Sequence, residues 1–169
     1  MHTPTPEEYH TYYAPYVQLV PETDLREGLA VNWRELQDWI TGTPESKGTY
    51  RYAEGKWSVN ELLLHLGDAE RVFAYRALCI ARGDQTPLPG FDHDVYVANS
   101  AADGRSLKSI LEELRTVREA TRSLFQNLGE EQLLLRGTAS GVPISVRALA
   151  YLTIGHTRHH LRILQERYA

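Results

Sequence analysis

The chain has 169 residues, of which 24% are charged and 42% are hydrophobic, and its formal net charge is −4. This size and composition are typical of one soluble domain with a substantial core, so we expect a single domain over residues 1–169. The acidic balance argues against a nucleic-acid-binding protein, which would need a basic surface.

Membrane and export signals are not seen in the sequence. No apolar run approaches the roughly 18 residues of a membrane span, and Met1–Glu7 lacks the basic and apolar regions of a signal peptide. The single cysteine, Cys79, lies between Leu78 and Ile80, which favours a buried, unreactive thiol. We therefore expect a cytoplasmic protein with neither membrane nor nucleic-acid partners.

The first part of the chain predicts an arm and then a helix. Residues 1–22 are rich in proline and tyrosine, which predicts an irregular N-terminal arm whose rings pack on the body. From about Thr23, apolar residues recur at spacings of three and four until Thr41–Pro44 ends the pattern. The apolar positions are Leu25, Leu29, Trp33, Leu36 and Ile40.

The second helix has the clearest start. Ser58 and Glu61 form a capping-box pattern, with Trp57 just before them, and Gly83 follows the predicted end at Arg82. His65 lies within the apolar stripe of this helix. The next connection, residues 83–104, is long for a compact domain, and such loops are often functional.

Two more helices complete the predicted bundle. Apolar residues repeat regularly from Leu107 to Leu128, and a last helix starts near Ser145 and runs to the C-terminus. Arg136–Pro143 between them is predicted as an ordered loop, since no strand pattern is strong enough to build a sheet. The fold class is therefore all-α, a four-helix bundle with long connections.

Three histidines occupy positions where the helical pattern calls for core residues. His156 and His160 are one turn apart on the last helix, the spacing at which two imidazoles can bind one metal ion. His65 on the second helix is the candidate third ligand. Three imidazoles suit Zn²⁺ or Ni²⁺ and leave positions open for water or substrate. Ordinary hydrogen bonds between buried rings are the alternative interpretation.

Two stretches carry a family resemblance: Trp57–Glu70 around His65, and Gly155–Leu161 around His156 and His160. Together with Pro89–Asp92 and Arg147–Ala150, they resemble the DinB-like superfamily over roughly residues 25–169. The resemblance implies a metal-binding four-helix bundle, often a homodimer, in which these three histidines bind a divalent ion.

The resemblance also implies functions. Some members are S-transferases that use the low-molecular-weight thiols bacillithiol or mycothiol, related proteins include a mycothiol-dependent isomerase, and many have no established activity. One position departs from the family pattern: Thr157 stands where members often carry an acidic residue. If that residue orients a metal ligand, its replacement weakens metal binding or changes the role of the site.

Other polar residues near the motifs have weaker assignments. Asp68, one turn from His65, is either a hydrogen-bond acceptor that fixes an imidazole tautomer or a solvated helix residue. His159 points about 100° away from His160 and is expected outside the ligand set. Glu61 is explained by the capping box. His93, Asp92 and Asp94 are candidates for the mouth of the site, and no residue is predicted as catalytic.

The functional hypothesis is a metal-dependent, thiol-dependent S-transferase that acts on small electrophiles. A divalent ion lowers the pKa of a coordinated thiol, so no protein nucleophile is needed. Metal-dependent hydrolysis is the neighbouring alternative, and a non-catalytic dimeric metal-binding module is the alternative from another class.

Overall fold

The computed structural model describes residues 3–168, which form a helical bundle with one small sheet. The elements are α1 (Ala14–Val17), α2 (Leu25–Gly42), α3 (Val59–Ala81), α4 (His93–Ala98), α5 (Leu107–Gln126), α6 (Glu130–Leu134), β1 (Arg136–Ala139), β2 (Val142–Ser145) and α7 (Val146–Arg167). Single 3₁₀ turns lie at Pro6–Glu8, Thr11–Tyr13, Glu45–Lys47 and Ala102–Gly104. The predicted all-α four-helix bundle is confirmed, with α2, α3, α5 and α7 as its long helices. Met1, His2 and Ala169, which belong to the predicted domain, lie outside the described residues.

The helix starts follow the capping chemistry of the sequence. The Glu61 backbone N–H donates to Ser58 Oγ at 3.1 Å, and the Ser58 N–H donates to Glu61 Oε2 at 2.7 Å. Ser145 caps α7 by accepting from the Ala148 N–H at 3.0 Å. The capping box and the last helix start are thus confirmed.

The segment predicted as an ordered loop, Arg136–Pro143, is instead a β-hairpin. β1 and β2 pair antiparallel, with Ala139 opposite Val142. Ser140 and Gly141 connect them with φ values of 53° and 78°. Two consecutive positive φ values are typical of a type I′ hairpin turn. The expectation of no strands was wrong because each strand has only four residues, too few to show a clear alternation of apolar and polar side chains.

The order of the helices around the bundle differs from their order along the chain. α3 packs against α5 and α7, and α2 packs against the same two helices, so α2 and α3 lie on a diagonal. α3 is antiparallel to α7, since Tyr168 after α7 donates to the Trp57 carbonyl before α3 at 2.7 Å. α3 is parallel to α5, since Asn60 at its start donates to the Arg105 carbonyl before α5 at 2.9 Å. The long connections permit these crossings.

The apolar core consists of two clusters, one toward each end of the bundle. One contains Leu25, Leu29, Phe73, Ile80, Phe125, Leu149 and Ile154, and the other contains Leu36, Ile40, Leu62, Leu66, Ile110, Leu114 and Leu164. Between them lie buried polar residues. Asn32, Glu70 and Arg118, which we call the arginine layer, join α2, α3 and α5.

The N-terminal arm packs on the body of the bundle, as predicted, and its short helix α1 contacts α7. Tyr9, Tyr13 and Tyr16 contact the first apolar cluster, whereas Tyr12 is 68% exposed. α1 crosses α7 at Gly155, where a Cβ atom would lie 2.0 Å from the Tyr16 carbonyl oxygen. Only glycine permits this approach.

A carboxylate fastens the beginning of the arm. Glu8 is buried and accepts hydrogen bonds from the Ser145 hydroxyl at 2.8 Å and from Arg147 Nε at 2.8 Å. The arm is thereby fixed to the N-terminal end of α7.

Across residues 3–168, none of the helices has the length and apolar character needed to cross a membrane.

Candidate metal centre

Three histidine side chains converge between α3 and α7. His65 Nε2 lies 3.1 Å from His156 Nε2, and His160 Nε2 lies 3.2 Å from the same atom. The potential ligand atoms of all three residues lie within 4.8 Å of one another. The structure thus brings together the three predicted ligands.

The donor atoms fit a divalent metal ion. Two nitrogen ligands of a tetrahedral zinc ion are about 3.3 Å apart if each bond is about 2.05 Å, close to the observed separations. Hydrogen bonds fit less well, because a ring nitrogen has one in-plane proton or lone pair and His156 Nε2 faces two partners. A metal ion on Nε2 would leave His160 Nδ1 as it is here, buried without a hydrogen-bond partner among residues 3–168. A metal ion would engage all three Nε2 lone pairs.

Burial keeps these imidazoles neutral. It lowers the pKa of His65 to about 4 and that of His160 to about 3, and the neighbouring histidines act in the same direction. Burial also lowers the pKa of His156 well below its ordinary value. At neutral pH the rings therefore present lone pairs, the form that metals bind.

A cavity of about 410 Å³ opens beside the cluster. Its walls come from the arm, α3, the 83–104 connection, the hairpin and α7. Its lining residues are Tyr12, Tyr13, Tyr16, Trp57, His65, Ala69, Phe73, Arg76, Gly90, Phe91, His93, Ser140, His156, His159 and His160. Aspartate and glutamate are absent from this lining throughout residues 3–168. The cavity is large enough for a small molecule to reach the three histidines.

Two of the remaining sequence candidates line the cavity. The His93 ring lies 5.7 Å from that of His65, measured between centroids, and the His159 ring lies 5.4 Å from that of Tyr16. Asp92 instead caps α4, where it accepts from the Asp94 N–H at 3.0 Å. Asp94 lines a separate cavity of about 260 Å³ that also borders His160.

Asp68 and Thr157 make hydrogen bonds away from the cluster. Asp68 accepts from Arg71 Nη1 at 3.4 Å, and no histidine of residues 3–168 donates to it. Its role in fixing a tautomer stays a prediction without a supporting contact. The Thr157 hydroxyl donates to the Thr153 carbonyl of its own helix at 2.9 Å.

Cys79 is partly exposed rather than buried, and it is not part of the cavity lining.

Several lining residues are not among the candidates that the sequence predicts. The sequence pattern places Trp57 only at the helix start, yet its ring centroid lies 4.9 Å from that of His65. Ala69, Phe73 and Arg76 follow His65 at spacings of four, eight and eleven, which place all four on one face of α3. That spacing is visible in the sequence. The contributions of the arm and the hairpin depend on tertiary packing and are not.

Solved structures of known proteins share this architecture. YfiT from Bacillus subtilis, described as a probable metal-dependent hydrolase with an unusual four-helix bundle topology, has a TM-score of 0.72 and 17% identity, covering 98% of this chain and 90% of its own. The mycothiol-dependent maleylpyruvate isomerase has a TM-score of 0.65 and 12% identity, covering 86% of this chain and 61% of its own. The DinB-like protein YjoA from Bacillus subtilis has a TM-score of 0.60 and 21% identity, covering 83% and 86%.

Sequence comparison gives the family. A comparison with curated proteins finds no match. The sequence profile of the DinB superfamily, however, matches residues 29–164, which include the three converging histidines and most of the bundle. This chain therefore belongs to the DinB superfamily.

Proposed function

We propose that this protein binds one divalent metal ion, Zn²⁺ or Ni²⁺, through His65, His156 and His160, and that it transfers a low-molecular-weight thiol to small electrophiles. The observation that carries the proposal is the convergence of three neutral imidazoles on the wall of a cavity that has no acidic side chain in its lining. When bound, the ion would supply a thiolate at neutral pH by lowering the pKa of a coordinated thiol.

The side chains of the cavity suit this reaction. The three histidines hold the ion and leave further positions open. Trp57 and Phe73 give the cavity apolar walls, which exclude water from the electrophile. In the transfer, the thiolate sulfur bonds to the electrophilic carbon, the leaving group departs with its electron pair, and the thiol proton passes to solvent. No cysteine of the protein is required, in keeping with the position of Cys79 outside the cavity lining.

Hydrolysis is the second candidate, because YfiT is described as a probable metal-dependent hydrolase. A hydrolytic site commonly uses a carboxylate or histidine as a general base. Besides the proposed ligands, the lining offers only His93 and His159 for that role, whereas a thiol whose pKa the metal lowers needs no general base, and this difference favours thiol transfer. The cavity itself favours an enzyme over a non-catalytic module, which would need no space for a substrate.

The homodimer and the cytoplasmic location stay predictions from the sequence. Light scattering after size-exclusion chromatography measures the mass in solution, and twice the chain mass would support the dimer. Mass equal to one chain would contradict it.

Metal content is the first test of the proposed site. We expect about one divalent ion per chain in the purified wild type by mass spectrometry, and a loss of most of it in folded His65→Ala and His160→Ala variants. His10→Ala is the matched control, because His10 is exposed and lies outside the cavity lining. A wild type that binds neither Zn²⁺ nor Ni²⁺ would overturn the proposal.

Thiol chemistry is the second test. The metal-loaded protein is incubated with bacillithiol or mycothiol and a chlorinated fluorogenic electrophile, and product is measured with and without a chelator. Chelator-sensitive thioether formation supports S-transfer. Ester or amide hydrolysis without any thiol dependence would favour the hydrolase instead.

A further inference from the structure

Four arginine side chains are largely buried, and one of them differs from the others. Three pair with carboxylates: Arg118 with Glu70, Arg147 with Glu8, and Arg158 with both Glu22 and Glu35. Arg76 is 4% exposed, yet no carboxylate of residues 3–168 lies within ion-pair distance of it. Burying a cation without a counter-ion is costly, which makes this exception informative.

The hydrogen bonds of Arg76 orient it but do not neutralise it. Its Nη2 donates to the Pro89 carbonyl at 2.7 Å and to Ser140 Oγ at 2.8 Å. Within residues 3–168, Nε and Nη1 make no hydrogen bond. One side of the guanidinium is thus fixed by two neutral acceptors, and other N–H groups stay free to bind a ligand.

The fixing residues are themselves well held. Ser140 occupies the hairpin turn with a positive φ of 53°. The connection before Pro89 is joined to the hairpin, since the Ser140 N–H donates to the Leu88 carbonyl at 3.0 Å and the Leu88 N–H donates to the Thr138 carbonyl at 2.9 Å. Arg76 is therefore held by backbone that is hydrogen-bonded on both sides, a preorganised arrangement.

Arg76 and the three histidines line the same cavity. His65 and Arg76 lie on one face of α3, eleven residues apart, which corresponds to about 16 Å along the helix axis. Side chains on a helix lean toward its N-terminus, which is the direction in which His65 lies from Arg76. A ligand can thus contact the metal site with one end and the guanidinium with the other.

We propose that Arg76 binds a carboxylate of the small-molecule ligand, so that the substrates or cosubstrates of this protein are singly charged carboxylates whose other end reaches the three-histidine site. The second half of this assignment rests on the proposed function. A guanidinium matches the two oxygens of a carboxylate, and a single buried cation balances one negative charge rather than the two of a phosphate. Because the lining contains no acidic residue, no protein carboxylate competes with the ligand for the guanidinium or repels the ligand's negative charge.

Bifunctional thiols test the proposal directly. Mercaptopropionate, mercaptohexanoate and mercaptoundecanoate, each beside its neutral amide, are titrated into the Zn²⁺-loaded protein by calorimetry. For the chain length that spans the cavity, we expect the carboxylate to bind about tenfold more tightly than the amide, the usual effect of one charged hydrogen-bonded contact. Equal affinities at every length would overturn the proposal.

Variants assign the preference to Arg76. Arg76→Gln should reduce the ratio of carboxylate affinity to amide affinity to about one. Arg76→Lys should keep part of this preference, because lysine retains the charge but lacks the paired donors of the planar guanidinium. Arg82→Gln is the matched control, because it removes the same charge from an exposed position at the end of the same helix. If Arg76→Gln keeps the preference, or lowers stability without changing the ratio, Arg76 serves only to join the 83–104 connection to the hairpin.

Measurements without metal distinguish a failure of this proposal from a failure of the proposed function. Hexanoate, hexanamide and inorganic phosphate are titrated into chelator-treated wild type and Arg76→Gln, and binding is followed by amide chemical shifts. Arg76-dependent binding of hexanoate above hexanamide supports the carboxylate site even if no metal binds. Tighter binding of phosphate than of hexanoate would contradict the singly charged assignment.

Discussion

The bundle interior holds two polar groups that differ in how they are satisfied. In the arginine layer, Arg118 is 2% exposed and donates to both oxygens of Glu70 at 2.8 and 2.9 Å and to Asn32 Oδ1 at 3.0 Å. The layer needs nothing from outside the chain. Within residues 3–168, the Nε2 atoms of the three histidines have one another as hydrogen-bond-distance neighbours, with no acceptor or donor from another residue type.

The difference separates a structural group from a ligand-binding one. A buried polar network that satisfies itself fixes how its helices pack, and removing one member leaves a buried charge. A cluster with unsatisfied lone pairs is a weak structural element until a ligand engages it. We therefore expect mutations in the arginine layer to act on folding and mutations in the histidine cluster to act on metal binding.

The largest effect is expected from Glu70→Gln. It leaves Arg118 buried without a counter-ion, which should lower the free energy of unfolding by about 3–5 kcal/mol. Urea unfolding measures this value. Glu119→Gln, an exposed glutamate of α5, is the control and should change stability by less than about 0.5 kcal/mol. A loss below about 1 kcal/mol for Glu70→Gln would show that the arginine layer is not what holds the three helices.

Metal removal comes next. A ligand that binds only the folded state at a thousandfold excess over its dissociation constant adds about 4 kcal/mol, so chelation of the wild type should lower apparent stability by an amount of this order. His160→Ala should lose the part of the stability that depends on metal. Glu70→Gln should keep it, if its fold survives, because it lies in the other group. Equal melting temperatures with and without chelator would show that the histidine cluster binds no stabilising metal ion.

Acid should release the Glu8 contact at the start of the arm. Burial raises the pKa of Glu8, but hydrogen bonds from Arg147, the Thr5 N–H and Ser145 outweigh it and lower the pKa to about 2. Because the folded-state pKa is depressed, the contribution is present above the unfolded-state pKa of about 4.3 and is lost as pH falls toward 2. We expect wild type to exceed Glu8→Gln by about 2–3 kcal/mol near neutral pH. The gap should shrink steadily below about pH 4. A gap independent of pH would contradict this.

The smallest effect is expected from Thr157→Val. The Thr157 hydroxyl bonds to its own helix, so its loss should cost no more than about 1 kcal/mol and leave metal affinity unchanged. Thr153→Val, which removes the same kind of bond to the Leu149 carbonyl, is the matched variant. Weaker metal binding in Thr157→Val alone would show that this position still orients a ligand, as the family pattern suggests.

The sequence predicts features that local rules determine. The four long helices follow from apolar spacing and from caps such as Ser58 and Ser145. The three histidines were recognisable because they interrupt otherwise apolar faces. Their convergence could be expected only for neighbouring helices, and the neighbours of each helix depend on packing between distant segments.

The rest of the site depends on long-range contacts. The hairpin is too short to be recognised by alternation, yet its Ser140 hydroxyl positions Arg76. In the sequence, Arg76 looks like an ordinary helical arginine. Only the structure shows that its side chain is buried and has no carboxylate partner within residues 3–168. The sequence also left Asp68 open as either a partner for a histidine or a solvated residue, and in the structure its carboxylate accepts from Arg71, three residues along α3.

The contact at Gly155 bears on how such chains can diverge. A single methyl group there would strike the backbone of Tyr16 and displace the arm from the cavity. Selection at position 155 therefore acts through residues far away in the sequence rather than through helix propensity, which would favour alanine over glycine. Related chains that lack the arm could carry another residue at position 155, whereas chains that retain the arm need glycine there. Replacement of this glycine should therefore accompany loss of the arm and of the part of the cavity wall that the arm forms.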